Sequence, residues 1–127
     1  MPTVFVVQEH KHDLTKAERF GGIKLLLPFR AQVWYDPAPH VAKLQAGLAT
    51  ATPEDYLVLM GDPALIGIAT ATLAQRTAGR FNLLKWSRHG DDYVAIPVNL
   101  KGEWSADEED FLAQTTDGGR SSGFADE

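Results

Sequence analysis

Tyr56-Leu57-Val58-Leu59-Met60-Gly61-Asp62-Pro63 is the stretch on which the fold turns. Five apolar residues run without alternation between a turn cluster, Thr52-Pro53-Glu54-Asp55, and Gly61. A short run of that kind reads as a strand covered on both faces, in the middle of a sheet. Asp62 is a good helix N-cap and Pro63 suits the first helical position, so a helix is predicted from about Ala64 to Thr77. Gly79 fits the position just past its end. Most sides of that helix are apolar or small, which predicts burial, with Ala64, Gly67, Ala71 and Ala74 forming a stripe for close packing. Phe81–Trp86 then reads as a further strand. Strand, helix and strand make a βαβ unit, whose crossover is right-handed and whose strands are parallel.

Downstream, Gly90-Asp91 centres a hairpin-type connection, and Tyr93–Leu100 returns as a strand. Pro97 cannot donate to a ladder, which puts this strand at an edge. Upstream, Thr3–Val7 is a strand covered on both faces, and Gln8–Arg19 is polar, with room for one helical turn near Thr15. Ile23–Leu27, closed by Pro28, and Gln32–Tyr35 are two more short strand-like runs. Val41, Leu44 and Leu48 form the apolar stripe of a short surface helix over His40–Leu48. The expected architecture is one α/β domain over residues 1–102. It is a mixed, Rossmann-like sheet of five to six strands, with two main helices and an antiparallel edge hairpin. Residues 103–127 read as an acidic, flexible tail.

The 127 residues are 44% apolar and 23% charged, which is ordinary globular composition. Without cysteine there is no disulfide framework, thiolate metal site or cysteine nucleophile. No apolar run approaches the roughly 20 residues of a membrane span, and no basic, apolar leader opens the chain, so a cytoplasmic protein without membrane contact is expected. Charge is unevenly placed. From Glu103 onward eight acids face one base, whereas residues 1–102 carry eleven bases and nine acids. The body is therefore nearly neutral, and the overall net charge of −5 belongs to the tail.

Three places merit attention as binding sites. Gly61, Asp62 and Pro63 lie where open α/β sheets bind small ligands or nucleotides. Asp62 and Pro63 occupy or remove the amide donors a phosphate would use, which favours an uncharged ligand there. Arg80, Lys85, Trp86 and Arg88 combine basic and aromatic side chains on one hairpin, a pattern that holds single-stranded nucleic acid weakly. Strand alternation splits that group, and the acidic tail competes for it, so nucleic acid is not the expected partner. Glu9-His10-Lys11-His12-Asp13 has metal-ligand residue types, but Lys11 interrupts them and no second ligand segment follows, so no metal or other cofactor is assigned. No nucleophile–base–acid pattern is complete, so no catalytic residue is assigned either. Ala106–Gln114 sets Phe111 and Leu112 in an acidic run of the kind that docks on basic protein surfaces.

Four segments together resemble a group of small proteins of tailed bacteriophages, mostly described as hypothetical. They are Val4–Glu9, Phe20-Gly21, Asp55–Pro63 and Gly79–Trp86, and the resemblance covers roughly residues 4–100. It implies a phage origin and expression in a bacterial host, and it supplies no activity or site residue. The combined expectation is a non-enzymatic accessory protein that binds a host or phage protein. A small-ligand or nucleotide site at Gly61-Asp62-Pro63 is the alternative, and the hairpin's nucleic-acid surface a second one.

Overall fold

The computed structural model describes residues 1–9, 11 and 13–101. The acidic segment from Glu103 to Glu127, with its Phe111-Leu112 pair, lies outside the described residues, as do His10 and His12. The elements are β1 (Thr3–Gln8), a 3-10 helix (Thr15–Phe20), β2 (Gly22–Leu27), α1 (Ala38–Gly47), β3 (Tyr56–Val58), α2 (Pro63–Arg76), β4 (Arg80–Ser87) and β5 (Asp92–Asn99). They form one mixed sheet in the order β2-β1-β3-β4-β5. The first four strands are parallel and β5 is antiparallel to β4. The protein is thus mixed α/β, with β3 central, β5 at an edge, and β3-α2-β4 forming the βαβ unit.

Each face of the sheet has its own core. Phe5, Val7, Leu57 and Phe81 point to one face, where they meet Leu44 and Leu48 at α1 and Leu65, Ala69 and Leu73 of α2. Val4, Val6, Val58, Leu84 and Tyr93 point to the other and meet Ala17 of the 3-10 helix, with Leu14 and Phe20 beside it. This division follows from handedness. The step from β1 to β2 runs opposite to the steps from β2 to β3 and β3 to β4, so right-handed crossovers must use opposite faces. β1 and β3, each with a strand on both sides, are buried at every position but the first, whereas β2, at an edge, is exposed at three of its six positions.

Two expectations need correction. Gln32–Tyr35 is not a strand: the chain between β2 and α1 is irregular, and only Ala31 and Val33 turn to the core. The physical reason lies upstream, where the Gln8 side chain holds the carbonyls of Pro28, Phe29 and Ala31 and bends the chain off the sheet. The small-residue stripe of α2 packs only at its end: Ala74 lies against the core, whereas Ala64, Gly67 and Ala71 are exposed and the helix buries Leu65, Ala69 and Leu73. Asp62 does cap α2, accepting from Leu65 N at 3.3 Å. At the other end Ala78, with φ 56°, takes the left-handed position expected for Gly79, and Gly79 N closes the turn on Ala74 O at 2.8 Å.

The β5 edge is blunted. Leu100 N donates to Gly79 O at 2.8 Å, so by alternation the amides of residues 93, 95, 97 and 99 face away from β4. Of these, Pro97 has no N–H, and Tyr93 N donates to its neighbour's carboxylate, Asp92 Oδ1, at 2.7 Å.

Candidate functional site

The carboxyl ends of β1, β2, β3 and β4 form one rim, and the distinctive side chains of the molecule collect there. After β1 the chain crosses on one face; after β3 it crosses on the other. The crevice between these two strand ends is the usual ligand position of an open α/β sheet. Here Gln8, 4% exposed, fills it. Gln8 Oε1 accepts from Asp62 N at 2.8 Å. Gly61 is required beside it, because its φ is +125° and a Cβ would lie only 2.6 Å from the Gln8 Cβ.

Gly61, Asp62 and Pro63 therefore divide their roles. Asp62 caps α2 and Pro63 opens it. Gly61 lines a cavity of about 530 Å³ on the 3-10 helix side of the sheet. Val58, Met60 and Leu84 form its apolar floor, Trp86 and Tyr93 its wall, and Asp13, Lys16 and Asp91 its polar mouth. The two rings of the wall meet edge to face, with centroids 5.0 Å apart and planes at 74°. Asp13 accepts from Thr15 Oγ at 2.5 Å and Thr15 N at 2.8 Å, and these bonds hold its carboxyl below the usual range. Burial raises the Tyr93 phenol, and the negative charge of Asp13 adds to the effect. Lys16 is committed: its ammonium pairs with Asp91 at 2.9 Å and stands 5.8 Å from the centre of the Trp86 ring.

A family model for the phage Pam3 gp32-like protein matches residues 2–100. The chain belongs to the phage Pam3 gp32-like family. Neither the curated proteins nor the solved structures contain a match to it. The family match takes in β1 through β5 and so includes the whole rim, and it bears out the phage origin expected from the sequence.

On the other side of the rim, the gp32-like chain displays aromatic residues. Trp34 is 76% exposed and Tyr35 97%, on the loop between β2 and α1. Gln8 Nε2 fixes the base of this loop from below, 3.1, 2.8 and 2.6 Å from the carbonyl oxygens of Pro28, Phe29 and Ala31. Trp34 Nε1 donates to Gln32 Oε1 at 2.9 Å, and His40 Nε2 stands 3.1 Å from Gln32 O. Sequence gave Trp34 and Tyr35 the wrong setting, as the end of a strand, although Pro28 and Asp36-Pro37 on either side already argued for a loop.

Three of the four hairpin residues come together: Lys85, Trp86 and Arg88 line one shallow cavity with His89, and Arg80 lies at the far end of β4. Arg80 pairs with Asn99 at one end of β4, and Arg88 follows its other end. Lys85 stands opposite Val94 on the helix-covered face, and Trp86 opposite Tyr93 on the face of the Gly61 cavity. Among the described residues no helix is long and apolar enough to cross a membrane.

Proposed function

We propose that this gp32-like protein is a non-enzymatic accessory protein that works in the host cytoplasm by binding a host or phage protein through the loop between β2 and α1. One observation carries this reading. Two large aromatic side chains, Trp34 and Tyr35, stand in solvent on a loop whose base is anchored to the sheet. Exposed aromatic anchors on a fixed base are what protein interfaces use, because Trp and Tyr contribute much contact area and a prepared loop loses little entropy on binding. The charges of the rim support binding over catalysis: Lys16 is paired with Asp91, Arg19 with Asp92, and Asp62 is used as a cap. Single-stranded nucleic acid is the second reading: Lys85, Trp86 and Arg88 share one cavity at the end of the hairpin, while Arg80 lies at the far end of β4 and adds nothing to it.

The test is affinity capture from phage-infected cells with the full chain and with Trp34→Ala and Tyr35→Ala variants, followed by titration of the purified partner. A defined protein should be retained by the natural chain, and each substitution should weaken its binding roughly tenfold or more, as for an interface anchor. Equal capture by both variants, with unchanged thermal unfolding, would overturn the reading.

A further inference from the structure

Partner binding through the aromatic loop leaves the cavity behind Gly61 unused. We infer that it is a binding site for an uncharged, planar, nitrogen-containing ring compound of nucleoside size. Its volume of about 530 Å³ is in the range of small-molecule sites. Val58, Met60 and Leu84 offer an apolar floor, and Trp86 and Tyr93 offer a wall against which a flat ring can pack. Trp86, 41% exposed, has ring surface left to cover.

The mouth sets the charge. Asp13 is an ionised acceptor, suited to an amino or hydroxyl donor on the ligand. Phosphate is disfavoured on three counts. The ammonium of Lys16 is already neutralised by Asp91. The guanidinium of Arg19 is bound to Asp92 and to Tyr93 O. The start of α2 is closed by its own Asp62. A phosphorylated ligand would therefore meet Asp13 and Asp91 with little compensation. The inference rests on the cavity and not on the aromatic loop, so either can fail without the other.

The experiment uses the full chain with Trp34→Phe and Trp104→Phe, which leaves Trp86 as the reporter among three tryptophans. Adenosine, guanosine, cytidine and uridine, and then their 5′-monophosphates, are titrated at low salt while tryptophan emission is followed. At least one nucleoside should change the emission saturably with a Kd below about 1 mM. Its monophosphate should bind roughly tenfold or more weakly. Asp13→Asn, a change at an exposed position, should weaken the nucleoside and narrow that gap without moving the unfolding midpoint. The inference is overturned if no nucleoside gives a saturable change, if the monophosphate binds as well as the nucleoside, or if Asp13→Asn changes neither.

Discussion

Gln8 and Asp62 are joined by a hydrogen bond from the Asp62 amide to the Gln8 side-chain carbonyl, 2.8 Å long, and the two lie 54 residues apart. Because the same side chain also donates to the loop after β2, one buried amide couples the start of α2 to the base of the aromatic loop. Its orientation is unambiguous, since three carbonyls require the nitrogen and one amide requires the oxygen.

Replacing Gln8 by Ala should lower the unfolding free energy by about 2–3 kcal/mol, because buried backbone groups lose their partners. Gln8→Glu should be nearly as damaging at neutral pH, where a carboxylate would face three carbonyl oxygens. That setting raises the variant's folded-state pKa above the usual value of about 4.3, so stability is present below that value and is lost as pH rises through the raised one. Urea midpoints of the natural chain and both variants, taken from about pH 4 to 7, check the size and the sign.

Ala78→Gly should stabilise the protein by about 1 kcal/mol. Ala78 is exposed and holds φ 56°, which costs an L-residue roughly that much, and glycine relieves it. A rise in thermal midpoint of a few degrees is expected. No rise would mean that the added freedom of the unfolded chain offsets the relief.

Unblocking the β5 edge should promote self-association. Pro97→Val restores one outward amide, and Asp92→Ala frees the Tyr93 amide from the carboxylate that now accepts it. Sedimentation of the double variant should give a larger, concentration-dependent mass than the natural chain. Equal masses would show that the blunted edge is not what limits pairing.

Tyr93 should ionise above the ordinary phenol range. Burial, and then the charge of Asp13, favours the neutral phenol in the folded state. The resulting stability is present below the ordinary phenol value of about 10 and is lost as pH rises through the higher folded value. Ultraviolet titration should show a late component that disappears in Tyr93→Phe and moves down in Asp13→Asn.

The sheet was legible because its apolar runs have no competing interpretation. Tyr56–Met60 is too short for a helix, and Asp62-Pro63 marks where the next one starts. Pro97 likewise declared an edge, because an amide that is missing cannot be hidden inside a ladder. The functional rim was legible only at Gly61. Gln8 looked like the first residue of a polar loop, and nothing in its neighbours says that its side chain turns inward to bond partners 20 to 54 residues away. Asp55 posed the same difficulty. It read as turn punctuation, yet it is buried and accepts from Thr3 N and Thr52 N, both at 2.8 Å. Periodicity reports which side of an element is wet; it carries no information about single side chains that tie distant segments together. For the same reason Trp34 and Tyr35 looked like strand residues, because their exposure depends on the bend that Gln8 imposes.

The strand order also has a consequence for how the protein is made. β1 leaves the ribosome well before β3, its inner neighbour, whose first paired residue, Tyr56, lies opposite Val4. At about 5–20 residues per second, several seconds separate the two. During that interval the sticky Val4–Val7 segment has at most one of its flanking strands available, a window in which nascent-chain chaperones would find it and in which slower translation would lengthen the exposure.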